Sequence, residues 1–345
     1  MTDRVRLGVI GCGRIAQVAH LPAIAKADGV ELVGVSDPSR MLVESVARQY
    51  GVTAYTETDT LLDDDIDAVV IAVPDRLHLP LGLQALNAGK HVLLEKPAAS
   101  DSDQAQQLVR AAEAADRKLQ IGAMRRHDPG MRYAAKAIGE LGQLMTVSLW
   151  YRIQGKLRAP TEAALFPPTA IDDDVRRGEA SHKADRRRYL LATHGAHVFD
   201  TMRMLVGDPS IVHAHLAQVG GDFSWHGNAR IADGALCGFE LSANVHSEYA
   251  EGIEVYGERG HVRVRSYFPF YRRTSEVRYF DEASGEAREP EFGATDPYQR
   301  QVEAFARAIV DGTPTTPSGE DGVAALRIIE AVAASAASDG QGVPP

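Results

Sequence analysis

Short apolar runs alternate with amphipathic stretches along the first third of the chain. Val5–Ile10, Glu31–Ser36, Ala68–Val73, His91–Glu95 and Leu119–Ala123 are apolar blocks of strand length, with a weaker one at Val52–Tyr55. Between them, Ile15–Ala27, Met41–Tyr50, Leu77–Ala88 and Ser102–Asp116 carry apolar residues at helical spacing. Strand and helix in regular alternation predict βαβ units and a parallel sheet. Ser100-Asp101 offers N-cap chemistry to the last of these helices, and Asp103 puts a carboxylate in its first turn.

From residue 124 the pattern changes. A helix is expected over Met131–Glu140 and a strand over Leu144–Arg152, then a polar, proline-containing segment from Gln154 to Arg188. A second amphipathic helix follows at Tyr189–Val206. Strand-like stretches come next: Ile211–Val219, Gly234–His246, Gly252–Tyr256, His261–Val264 and Glu276–Phe280. Tyr298–Val310 and Asp321–Ser338 close the chain as helices. Strands in series predict an α+β unit on a mostly antiparallel sheet. The expected division is therefore a doubly wound Rossmann domain over 1–123 and an α+β domain over 124–345. The segment 154–188 holds Asp172-Asp173-Asp174 and Arg186-Arg187-Arg188. A structureless stretch of that length is uncommon unless it works as a lid or an arm onto a neighbouring subunit, and its plain alternative is a solvated surface excursion.

Composition narrows the partners. With 37 basic and 47 acidic residues the formal charge is −10, which argues against nucleic acid or an anionic membrane. No apolar run approaches the roughly 18 residues of a membrane span. The first strand begins almost at the initiator Met, leaving no room for a signal peptide. Two cysteines, Cys12 and Cys237, make no disulfide framework, so a cytoplasmic, reduced setting is expected.

Gly11-Cys12-Gly13-Arg14-Ile15-Ala16 fits G-x-G-x-x-A between the first strand and its helix. Gly11 permits the tight turn, Gly13 lets a pyrophosphate approach the backbone, and the N–H groups from Arg14 and Ile15 onward face the phosphates. The expected cofactor is NAD, with NADP as the variant. Asp37, closing the second strand, suits the adenosine ribose hydroxyls and repels a 2′-phosphate, although Asp-Pro-Ser is also good turn chemistry and Arg40 could instead receive that phosphate. Pro74 halts the fourth strand at the sheet's carboxyl edge. His78, in the next helical turn, reads equally as a structural histidine or a cofactor contact. Glu95-Lys96-Pro97 ends the fifth strand, and Lys96 emerges where open α/β sheets bind ligands. His194, His197 and Asp200 recur every three residues on one helix face, as core polar groups, a metal site or acid–base groups. The spacing is not that of a zinc helix, and the cysteines offer no third ligand, so no metal is expected.

Taken together, Gly11–Ala16, Val73-Pro74 with His78, the run Ala88–Pro97, Arg125-Arg126-His127-Asp128-Pro129, Gly195-x-His197-x-x-Asp200 and Gly319-Glu320-Asp321-Gly322 resemble the glucose–fructose oxidoreductase/inositol dehydrogenase (Gfo/Idh/MocA) family nearly end to end. The resemblance implies a C-terminal domain with a large open sheet whose outer face forms homodimers or homotetramers. It implies hydride transfer between NAD(P) and a hydroxyl-bearing carbon of a sugar, inositol or related polyol or aminosugar. Lys96 would bind the reacting oxygen and His197 would be the general acid/base, with Glu95 and Arg126 beside the cofactor. A lysine near the oxidised, positively charged nicotinamide has its pKa lowered. One position departs from the pattern: many members carry an aspartate four residues before this histidine, and here it is Thr193, so His194 or Asp200 must compensate or His197 acts alone. An NAD-using glycosidase and a non-catalytic nucleotide-binding regulator are the alternatives. The aromatic stretch Tyr267–Tyr271 reads as packing, not as a sugar platform.

Overall fold

The computed structural model describes residues 4–154, 167–168, 170–174, 177, 183–231, 234–245 and 249–345. His246 and most of the expected lid or arm at 154–188 lie outside them. Two compact units share the chain. One comprises Met1–Met124, the described part of Ala163–Asp185, and Tyr298–Val323; the other comprises the described parts of Arg125–Glu162, Arg186–Pro297 and Ala324–Pro345.

In the first unit six strands pair in parallel. They are β1 (Val5–Ile10), β2 (Val30–Ser36), β3 (Thr53–Tyr55), β4 (Ala68–Ile71), β5 (His91–Leu94) and β6 (Leu119–Ile121), in the order β3-β2-β1-β4-β5-β6. This is a doubly wound Rossmann sheet, and the order reverses between β1 and β4, where such sheets open a ligand crevice at their carboxyl ends. The connecting helices are α1 (Leu21–Ile24), α2 (Arg40–Tyr50), α3 (Thr58–Leu62), α4 (His78–Asn87) and α5 (Ser102–Ala114). As expected, the Asp101 side chain caps α5, accepting from the Gln104 N–H. The stretch expected as one helix over Ile15–Ala27 instead opens with a widened π-helical turn at Ala16–His20 before α1. Pro22 explains it: a proline gives no N–H and its ring strikes the carbonyl one turn back. The short α3 has too few residues to show a period in the sequence. A helix near the end of the chain, Pro297–Val310, adds Val302, Phe305 and Ala306 to the core beneath β1 and β2.

The second unit holds α6 (Pro129–Gly139), β7 (Leu144–Gln154), α7 (Arg186–Val206), β8 (Pro209–Val219), β9 (Asp222–Ile231), β10 (Leu236–Val245), β11 (Ala250–Gly257), β12 (Gly260–Ser266), β13 (Glu276–Asp281) and β14 (Glu286–Arg288). The chain ends with α8 (Pro297–Val310) and α9 (Gly319–Ala337). The eight strands run β14-β13-β12-β11-β7-β10-β9-β8, antiparallel throughout except for the parallel pair β7–β10. β9 has no counterpart in the sequence pattern. Its inward residues Phe223, Trp225, Ala229 and Ile231 keep the period of two, but Gly227-Asn228 interrupts it and reads as a turn. The interruption is packing: a Cβ on Gly227 would stand 2.4 Å from the Phe239 ring of β10.

Candidate active site

At the nucleotide end the glycines differ in what surrounds them. Gly11 has φ +97°, and a Cβ there would lie 2.5 Å from the Ala72 carbonyl oxygen at the end of β4. A Cβ on Gly13 would meet nothing within 4 Å, so the turn leaves open space where a pyrophosphate approaches. The following helical turn has no side-chain cap hydrogen bond at Ile15, and its Gln17 N–H is taken by the Gly13 carbonyl at 3.1 Å. Arg14 at its start is exposed. Asp37 is buried and turned towards this turn: Oδ2 accepts the Cys12 N–H at 2.8 Å and Oδ1 the Ser39 N–H at 2.9 Å. Burial raises its pKa, the two N–H bonds work against that, and Asp172 adds to it. A carboxylate has about four acceptor positions, so lone pairs remain for ribose hydroxyls. Arg40 is exposed and faces Glu44 at 3.8 Å. The turn, the uncapped helix start and the carboxylate all fit a dinucleotide.

Glu95 and Lys96 follow β5 directly. The Glu95 side chain is buried between two partners: Oε1 meets His20 Nε2 at 2.8 Å and Oε2 accepts the Lys96 N–H at 3.0 Å. Burial opposes its charge, but the His20 hydrogen bond and charge, with Lys96, outweigh it and hold the carboxyl below its usual range. Lys96 itself is half-buried. His78 is buried between two turns, with Nδ1 2.7 Å from the Pro97 carbonyl and Nε2 2.9 Å from that of Val73, next to Pro74. Burial lowers its pKa, and a neutral ring donates its one N–H to one of those two carbonyls. His78 thus lies between the turn after β4 and the turn after β5. His20 carried no sequence signal, because a lone histidine in Ala-Gln-Val-Ala-His-Leu-Pro reads as core.

In the second unit, α7 divides its polar residues. Asp200 is buried and pairs bidentately with Arg126, at 2.8 and 3.0 Å. His194 is buried, with Nδ1 3.2 Å from the Tyr151 hydroxyl of β7. His197 is half-buried, its ring within 12° of parallel to Tyr151 at 6.4 Å between centroids. The structure thus brings His194 and His197 to one tyrosine and commits Asp200 to an arginine. Behind Tyr151, Tyr249 packs edge-on, and the buried Arg125 bonds both Tyr249, at 2.6 Å, and Glu251. Tyr151 had no separate signal, since an inward tyrosine on a strand is ordinary core. Among the described residues no group of three or more His, Cys, Asp or Glu is arranged to hold a metal, and no helix is long and apolar enough to cross a membrane.

Comparison with known proteins agrees with this fold. Residues 5–123 match the Gfo/Idh/MocA oxidoreductase family's NAD-binding Rossmann fold, and residues 189–344 its C-terminal alpha/beta domain. The inositol 2-dehydrogenase of Rhizobium meliloti is 30% identical over 345 residues, covering 98% of each chain. The D-xylose 1-dehydrogenase (NADP(+)) 2 of Haloferax volcanii is 27% identical over 95% of this chain and 96% of its own. A levoglucosan dehydrogenase in complex with NADH and levoglucosan shares the fold, with a TM-score of 0.80 over 99% of both chains at 21% identity. With both regions matched and one relative aligned end to end, the chain belongs to the Gfo/Idh/MocA family of oxidoreductases with an NAD-binding Rossmann fold.

Proposed function

We propose that the protein is a dehydrogenase that oxidises a ring carbon bearing a hydroxyl, on an inositol, sugar or related polyol or aminosugar, using NAD. The observation that carries this is Lys96 at the carboxyl end of β5, its main chain fixed by the buried Glu95, in a parallel sheet whose first turn accommodates a dinucleotide. Relatives named for inositol and xylose oxidation support the substrate class.

Bound NAD supplies the hydride acceptor. Gly11, Gly13, Arg14 and Ile15 receive the pyrophosphate, and Asp37 takes the ribose diol, with Arg40 left to solvent. Pro74, His78 and Glu95 shape the two turns flanking the nicotinamide end. Lys96 Nζ holds the reacting oxygen, and the His197 imidazole takes the hydroxyl proton. His194, bonded to Tyr151, orients that face of α7. Arg126, placed beside the cofactor by the family resemblance, is engaged with Asp200, and this pair sets where α7 sits. The C-terminal region binds the substrate and associates through its sheet into a homodimer or homotetramer. The buried, unpaired Cys12 and Cys237 suit the reducing cytoplasm.

The test is a screen of inositols, sugars and aminosugars with NAD and NADP, followed at the reduced nicotinamide absorbance. One substrate should give NADH in stoichiometric yield, and Lys96→Ala should lower kcat about 100-fold or more while NAD still binds. Catalytic bond cleavage without net NADH, or near wild-type kcat in the alanine variant, would reject the reading.

A further inference from the structure

The acidic run Asp172-Asp173-Asp174 has no part in that reaction, yet its first residue is built into the nucleotide end of the first unit. The carboxamide of the buried Gln17 grips the Ala170 main chain on both sides. The Ala170 N–H donates to Gln17 Oε1 at 3.0 Å, and Gln17 Nε2 donates to the Ala170 carbonyl at 2.9 Å. The same Nε2 donates to the Cys12 carbonyl at 2.8 Å, inside the glycine turn. Ala170 also packs against the core beneath β1. Two residues on, Asp172 Oδ2 accepts the Ser39 hydroxyl at 2.5 Å, while Oδ1 accepts the Asp174 N–H at 2.9 Å. The Ser39 N–H in turn donates to Asp37 Oδ1. Residues 170–172 therefore run from the glycine turn to the end of β2 and set a second carboxylate beside Asp37. The charge of Asp172 contributes to the raised pKa of Asp37.

We infer that Asp172 is a second determinant of dinucleotide choice, excluding a 2′-phosphate by its charge at the ribose end of the site. The inference rests on the assignment of Asp37 to the adenosine ribose. A 2′-phosphate brings up to two negative charges, and here it would meet two carboxylates held on one serine, Asp37 by its N–H and Asp172 by its hydroxyl. Arg40, a cation close by in sequence, lies 3.8 Å from Glu44. Asp37 must also meet the ribose hydroxyls, whereas Asp172 needs only its charge to act on a phosphate. A tie for the segment alone would need the Ser39 hydrogen bond but not that charge.

Calorimetric titration of NAD and of NADP into the wild type and into Asp172→Asn, Asp172→Lys and Asp173→Asn separates the two. Asparagine keeps an acceptor for Ser39 and removes the charge. Asp172→Asn should tighten NADP about 10-fold with NAD little changed, Asp172→Lys should tighten it further, and the exposed Asp173→Asn should do neither. Thermal melts of each variant confirm that the fold is retained. Unchanged NADP affinity in both Asp172 variants, or an equal gain in Asp173→Asn, overturns the inference while leaving the nucleotide site standing. A wild type that binds neither dinucleotide, or prefers NADP, overturns the reading of Asp37 and this inference with it.

Discussion

Gly11 and Gly13 lie in one turn but tolerate a side chain very differently. At Gly11 the backbone is left-handed and the Ala72 carbonyl fills the place of a Cβ. Gly11→Ala should therefore lower the melting temperature, with the positive φ alone costing about 1–2 kcal/mol, and weaken NAD binding as a consequence. At Gly13 the space is open, so Gly13→Val should melt close to the wild type yet lose NAD affinity, because the new side chain occupies the approach of the pyrophosphate. Calorimetry and melting together test this; equal destabilisation by both would sink the distinction. The buried Glu95 gives a pH prediction. Its pKa is depressed in the folded state, so its contribution to stability is present above the unfolded value and is lost as pH falls through the folded one. Glu95→Gln should cost about 2 kcal/mol at neutral pH, and melts against pH should show that difference closing on the acid side of the usual carboxylate range. A constant difference down to strongly acidic pH would mean that shape, not charge, is what Glu95 supplies.

The helix α7 shows what a period can and cannot reveal. The three-residue spacing of His194, His197 and Asp200 was legible, as was their common face, but their partners were not. Those partners, Tyr151 and Arg126, come from β7 and from the turn before α6, and only the fold brings them to α7. Thr193 leaves no carboxylate one turn before His197, and the buried Asp200 carboxylate is bound by Arg126. On the function proposed above, His197 is the proton acceptor, and it lies with His194 against Tyr151. His197→Ala should lower kcat about 100-fold or more and flatten the pH dependence of kcat, while His194→Ala should act more weakly on both. Asp200→Ala should instead cost about 3 kcal/mol of stability, because it strands a largely buried guanidinium. If His194→Ala removes the pH-dependent limb, the proton role moves to that histidine. Elsewhere β1 matches its expected bounds because buried Val5, Leu7, Val9 and Ile10 mark both its ends, with Arg6 the one half-buried residue among them. β9 was hidden because one glycine makes room for a phenylalanine on the next strand.

Across the molecule, the Rossmann half was the more readable, since parallel strands and their crossover helices follow in sequence and each announces the next. The eight-stranded sheet was recognisable as antiparallel strands, but its order, with β7 inserted between β10 and β11, depends on non-local pairing. That order also exposes something the linear pattern scatters. Leu236 pairs with Thr146, Thr146 with Tyr256, Tyr256 with His261 and His261 with Phe280, forming one row across five strands. The rings of Tyr256, His261 and Phe280 stack along it at 5.0 and 5.5 Å. Cys237, next to Leu236, points the other way, onto Met202 of α7, so the row lies on the face away from α7. Leu236 is 53% and Tyr256 39% exposed, and the same face carries the charged Glu240, Arg152, Glu254 and Arg263. A second copy of the chain covering this row would satisfy it, provided the contact reaches the roughly 1,000 Å² that stable interfaces need. Sedimentation equilibrium should give the mass of a dimer or tetramer. The double variant Leu236→Glu, Tyr256→Arg should shift it to the monomer and make melting independent of protein concentration. A wild type that sediments as a monomer, or a variant that keeps the wild-type mass, would show that the row is not where copies of this chain meet.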